Sequence, residues 1–254
     1  DNIVVFSVDT DISPYDSGSY ASATTYITGK AVAKAAENLK EKVIKMGASM
    51  LEVEPDEVTF NGKCVEKKDR SAKVTLPEIG VRGTFGNNDA LQVTENCGAE
   101  ISPPPYMVGI AEVEIDKETG SVELIDYVAV VDCGTPINPN LARVQTEGGI
   151  AQGIGMALFE DIQYTEKGAM ANNSLMQYKI PSRLDVGKIR VEFKPSYEKS
   201  HPFGAKSIGE IVIDTPCPAI ANAVYNAVGL RVEEMPIKPE KIAMALSDDC
   251  KMYE

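Results

Sequence analysis

The chain has 254 residues, enough for one large domain or two smaller ones, and 43% of them are hydrophobic. Its 25 basic and 38 acidic residues leave a net charge of −13, which argues against nucleic acid and anionic membrane surfaces as partners, since both need a basic face. No apolar run approaches the roughly 18 residues needed to cross a bilayer, and the opening Asp1-Asn2-Ile-Val-Val-Phe6, which has no basic n-region, does not read as a signal peptide. A cytoplasmic location is expected. The chain opens inside a strand-like run, which reads as a processed or shortened chain, or as a subunit whose partner fills the missing side.

Ile3 to Val8 is the first strand candidate, followed by the polar loop Asp9 to Gly18. Ser19-Tyr-Ala-Ser-Ala-Thr-Thr25 is rich in small residues and hydroxyls. It stands just before a helix in which Ala31, Val32, Ala35, Leu39, Val43 and Ile44 keep helical spacing to about Leu51. Amides at such a helix start suit a phosphate or another anion, and ordinary N-capping by Ser or Thr explains the pattern equally well. Val58 to Phe60 and Cys64-Val65 read as a hairpin through Asn61-Gly62. Residues 75–100 look irregular.

Tyr106 to Ile115 and Val122 to Asp132 flank Asp116 to Gly120 as a second hairpin, with a phase shift between Ile110 and Val113. The turn-rich Asp132 to Asn140 leads into a helix from about Leu141 to Phe159. Gly148, Gly149, Gly153 and Gly155 lie inside that helix, each costing about 1 kcal/mol against Ala. Something must therefore press on that face, either another helix or a bulky cofactor. Short strand signals recur at Asp161 to Tyr164 and Ala169 to Ala171, and Ile189 to Phe193 alternates as a half-buried strand. Pro218 to Val228 reads as a helix capped by Thr215-Pro216, and Pro239 to Leu246 as a closing helix. Hairpins mixed with helices predict an α+β fold with mixed sheets. Two sub-halves, 1–135 and 136–254, are expected to share sheets.

The five cysteines, Cys64, Cys97, Cys133, Cys217 and Cys250, form no C-x-x-C pair, and His201 is the only histidine. The chain by itself thus offers no zinc or iron–sulfur ligand set and no metal-binding residues are assigned. No Walker loop and no strand-linked G-x-G-x-x-G is present. Gly204-Ala-Lys-Ser-Ile-Gly209 precedes Glu210 and the apolar Ile211-Val-Ile213. The glycines allow a close backbone approach. A carboxylate entering apolar surroundings is pushed toward the range of a general base. A plain loop glutamate is the simpler explanation of Glu210 taken alone.

Three separated segments together resemble the xanthine dehydrogenase/aldehyde oxidase family of molybdenum hydroxylases. They are Gly18 to Val32, then Asp132-Cys-Gly-Thr-Pro-Ile-Asn-Pro139 with Gln145 to Gly155, then Tyr178-Lys-Ile-Pro181 with Gly204 to Glu210. The resemblance implies a molybdopterin cofactor or its cytosine dinucleotide. It places Ala21, Ser22, Ala23, Thr24 and Thr25 against the pterin and its phosphate, Gln145 within hydrogen-bonding reach, and Lys206, Ser207, Ile208 and Gly209 along the other side. Glu210 stands where the family has its general base. The implied reaction oxidises an N-heterocycle, of purine or nicotinate type, or an aldehyde, with water as oxygen source and electrons leaving through Fe–S and FAD partner chains. Family subunits are longer, and their G-G-G-F-G segment and substrate-clamping residues have no counterpart here. The resemblance is therefore to the C-terminal half of the molybdopterin-binding subunit. An N-terminal half, an Fe–S subunit and an FAD subunit are the implied partners, and the chain alone is expected to be inactive. A non-catalytic scaffold or an acidic α+β ligand-binding domain is the alternative. Tyr197, His201 and Phe203 either face a substrate channel or belong to a surface loop.

Overall fold

The computed structural model describes residues 3–86, 90–98, 101–201 and 203–247. Cys250 lies outside them. The chain divides into two compact units, the first made of 1–18 and 24–100 and the second of 19–23 and 101–254.

In the first unit, helix α1 (Thr24–Met50) packs beside an antiparallel three-stranded sheet of β1 (Val58–Phe60), β2 (Cys64–Lys67) and β3 (Lys73–Thr75). The core is Val43, Ala48, Val58, Val65, Val74 and Ile79. Gly47 sets the closeness of helix and sheet, because a Cβ there would lie 2.7 Å from Val65. The hairpin at Asn61-Gly62 forms as expected. Residues 75–100 are less irregular than expected, since helix α2 (Leu76–Phe85) begins there. Its start is a capping box in which Thr75 and Glu78 satisfy each other's backbone amides, with Pro77 in the first turn.

Ile3 to Val8 is not a strand. Val4, Phe6 and Val8 are 87%, 72% and 96% exposed. A strand satisfies its N–H and C=O groups only by pairing, and among the described residues no sheet takes this segment as a neighbour.

The second unit is built on β4 (Tyr106–Ile115), β5 (Val122–Asp132) and β6 (Lys188–Phe193). The β4–β5 pair is antiparallel with a register shift at Glu112/Val113, where the sequence pattern changes phase, and β6 runs parallel to β5. A parallel return needs a long crossover. It contains α3 (Pro139–Leu158), capped by Asn138, whose side chain accepts from the Leu141 N–H at 3.1 Å. The short α4 (Ile211–Asp214), α5 (Pro216–Val228) and α6 (Pro239–Leu246) follow. Tyr127, Val131, Ile150, Ile154, Ile220, Val224 and Ile242 form the core between sheet and helices. β4–β5 and β6 lie on opposite sides of residue 135 in one shared sheet, and the compact units part at 100/101.

Two smaller expectations change. Asp161 to Tyr164 and Ala169 to Ala171 make only an isolated bridge, Tyr164 with Met170. Thr215 does not cap α5 with its side chain; its hydroxyl lies 2.8 Å from the Tyr127 hydroxyl instead. Gly109 makes room for that buried pair, since a Cβ at 109 would sit 2.0 Å from the tyrosine oxygen.

Candidate functional site

The segment before Glu210 is held by the end of β5. Thr135 N–H donates to Gly204 O and Lys206 N–H donates to Cys133 O, both at 2.7 Å. Gly134 and Gly204 occupy the left-handed region, φ +68° and +74°. A Cβ on Gly134 would meet Gly204 O at 2.4 Å, and one on Gly204 would meet the Tyr197 ring at 2.5 Å. Both positions need glycine on conformational and steric grounds.

Asp132 ties this crossing together. Its carboxylate accepts from Gly134 N–H at 2.9 Å, from the Ser196 hydroxyl at 2.8 Å and from Lys206 Nζ at 2.8 Å. Burial opposes its ionisation, but the hydrogen bonds from Lys206, Gly134 and Ser196 outweigh that effect and hold the carboxyl below its ordinary value. The Lys206 side chain is only 7% exposed, with its ammonium 5.1 Å from the centre of the Tyr106 ring.

Downstream of Glu210, the glycines of α3 receive α4 and α5. A Cβ at Gly149 would lie 2.2 Å from Val212, and one at Gly153 would lie 2.6 Å from Pro216. The pressure on that face therefore comes from neighbouring helices. Gly148 has nothing within 4 Å of where its Cβ would be. Gly155 lies against the segment carrying the Tyr178–Pro181 motif, with Pro181 3.0 Å from its would-be Cβ. The Tyr178 hydroxyl donates to Glu160 at 2.5 Å, and that hydrogen bond raises the Tyr178 pKa.

Ser22, Gln145 and Gly209 converge although they are far apart in sequence. A Cβ on Gly209 would stand 2.8 Å from Ser22 Oγ and 3.9 Å from Gln145 Nε2. Ala21 and Ser22 both have left-handed backbones, φ 49° and 52°. For residues with a Cβ this costs about 1 kcal/mol each, and such strain clusters where a backbone shape serves a ligand. Gln145 is exposed on α3, and Glu210 is exposed immediately after Gly209.

The remaining anticipated residues divide. Ala23 is half-buried in the same segment as Ser22, while Thr24 and Thr25 are the exposed first residues of α1 in the first unit. Ser207 and Ile208 are half-buried, Ile208 against the core. Lys206 turns its ammonium to Asp132 and its backbone N–H to Cys133 O. The apolar surroundings expected for Glu210 are not supplied by this chain: the carboxylate is exposed because Ile211-Val-Ile213 sends Val212 into the core and not around it. His201 is buried, 2% exposed, and accepts from Phe203 N–H at 3.1 Å, whereas Tyr197 and Phe203 are exposed. Asp132 and Ser196 were absent from the anticipated set. The only sequence signal for Asp132 was its place at the head of the Asp-Cys-Gly-Thr-Pro turn.

Strained backbone, glycines and uncharged donors thus meet beside one exposed carboxylate. A family described as a molybdopterin cofactor-binding domain matches residues 1–187. The chain belongs to that family, the molybdenum-binding part of the xanthine dehydrogenase/aldehyde oxidase type of oxidoreductase. It is 36% identical over 249 residues to a probable hypoxanthine oxidase of Escherichia coli K12, covering 96% of this chain and 26% of that protein. It is 32% identical to the gamma subunit of a 6-hydroxypseudooxynicotine dehydrogenase complex from Paenarthrobacter nicotinovorans, covering 95% and 32%. Quinoline 2-oxidoreductase from Pseudomonas putida 86 superposes with a TM-score of 0.76 at 28% identity, covering 92% of this chain and 31% of that one. The chain thus spans about a quarter to a third of the length of these relatives. Among the described residues no helix is long and apolar enough to cross a membrane.

Proposed function

We propose that this chain forms one wall of the molybdopterin site of a molybdenum hydroxylase and supplies its proton-accepting carboxylate. The observation that carries the reading is the meeting of Ser22, Gln145 and Gly209 directly before Glu210. The fit to a pterin is chemical. The Ser22 hydroxyl and the Gln145 amide suit the polar edges of such a ligand, and Gly209 leaves no side chain between them. Ser207 to Gly209 contribute backbone, and Ala21 and Ser22 the strained turn. When bound, the cofactor supplies the two-electron redox chemistry, and the protein supplies orientation, electrostatics and a base.

In the balance R–H + H2O → R–OH + 2 H+ + 2 e−, Glu210 would take the proton that water loses as its oxygen bonds to an electron-poor carbon of an N-heterocycle or an aldehyde, where the C–H bond is broken. The electron pair of that C–H bond would pass to the bound cofactor, and Fe–S and FAD partner chains would supply its exit. Exposure of Glu210 in this chain fits a site whose second wall comes from the N-terminal portion of the molybdopterin subunit, which would desolvate it. The retained carboxylate counts against a pure scaffold.

The test is Glu210→Gln in the holoenzyme, assayed with purines, nicotinate and aldehydes. Loss of a general base lowers turnover roughly 10²–10⁴-fold with molybdenum content unchanged. Near-wild-type turnover would remove Glu210 from that role. Gln145→Ala is expected to lower pterin and molybdenum content, and unchanged content would refute the cradle.

A further inference from the structure

We infer that Asp132 is a positioning residue for Glu210, acting as a latch that fixes the 204–209 segment to the end of β5. The inference rests on the reading of Glu210 as the base. Three donors reach its carboxylate from three places: the following turn at Gly134, the segment after β6 at Ser196, and Lys206, four residues before Glu210. Two backbone hydrogen bonds cross at the same point, from Thr135 to Gly204 and from Lys206 to Cys133. Gly134 and Gly204 make the approach too close for any Cβ. Beyond the latch, Gly209 rests on Ser22 and Val212 on Gly149.

Glu210 is therefore held on both sides by fixed points, while its own carboxylate makes none of the latch contacts. Glu210 stands at the N-terminal cap of α4, where its carbonyl accepts from the Ile213 N–H at 3.1 Å, so its backbone is set by α4 on one side and by the latched segment on the other. Removing one anchor leaves the other, so the expected consequence is misplacement without loss of the fold. The Lys206 ammonium is spent in this latch, which also explains why a lysine in a cofactor-lining motif points away from the lining.

Asp132→Asn keeps an acceptor for Gly134 and Ser196 but loses the charge that holds Lys206. In the holoenzyme, amide hydrogen exchange at Thr135 and Lys206 is expected to quicken roughly tenfold or more, as for a lost charged hydrogen bond. Turnover number should fall by up to about 100-fold, as for a misplacement near 1 Å, with KM and molybdenum content little changed. Asp126→Asn serves as control: it breaks the Arg190 ion pair on the same strand, outside the latch, and should leave both readouts as in the wild type. Lys206→Met combined with Asp132→Asn should add little to either change alone. If Asp132→Asn does not fold, Ser196→Ala removes one exposed donor and should give a smaller increase at the same two amides.

Wild-type exchange at Thr135 and Lys206 in the variants overturns the latch. Faster exchange with unaltered turnover overturns its positioning role. Failure of the base reading is separate, since it shows as retained turnover in Glu210→Gln whatever the exchange result.

Discussion

Gly149 and Gly148 are neighbours on α3 with opposite surroundings, and the same substitution should act on them with opposite sign. In Gly149→Ala the new Cβ would lie 2.2 Å from Val212 Cγ2 and 3.0 Å from Val212 Cβ. Ordinary carbon contacts are about 3.5–4.0 Å, so one side must yield by more than about 1 Å. Val212 is fully buried and has nowhere to swing. Overpacking of this kind costs roughly 1–3 kcal/mol, offset by about 1 kcal/mol of better helix propensity. The net loss is about 1 kcal/mol. In Gly148→Ala nothing lies within 4 Å of the new Cβ, and only the propensity gain of about 1 kcal/mol remains. The two variants should therefore differ by roughly 2 kcal/mol, or about 4–8 °C in Tm for a domain of this size. Urea unfolding and calorimetry of the chain measure the gap. Equal midpoints, or a more stable Gly149→Ala, would refute the packing argument and with it the role of α3 in seating α4 behind Glu210.

Two further outcomes follow from buried polar contacts. Gly109→Ala would press a Cβ against the Tyr127 hydroxyl and should unfold the second unit more readily than wild type by roughly 1–3 kcal/mol. Adding Tyr127→Phe removes that oxygen, and the double variant should recover part of the loss in urea unfolding; no recovery would mean that the clash lies elsewhere. The folded Asp132 carboxyl ionises below its ordinary value of 3.8, so the folded chain binds fewer protons there than the unfolded one. Its contribution is fully present above that value and is lost as acid carries the pH down through the folded value. The stability gap between wild type and Asp132→Asn should shrink on acidification below about pH 4, and a pH-independent gap would contradict the assignment.

Local signals reached different distances into this fold. The β4–β5 hairpin and α6 were legible because alternation and a proline start are properties of adjacent residues. The α2 start was equally local, yet the Thr75–Glu78 box lay in a stretch that looked irregular because α2 is short and ends at Gly86. Ile3 to Val8 has strand composition without strand structure, since composition cannot provide a pairing edge.

The sequence by itself determined the α+β class, the family resemblance and the segments that carry it, because these depend on spacing and residue type. Tertiary structure decided what those residues touch. It alone shows that helices and not a ligand press on Gly149 and Gly153, that Lys206 faces Asp132 across 74 positions of sequence, and that Ser22 meets Gly209. Such contacts arise when distant segments close on one another, and no periodicity within either segment records which partner it will meet.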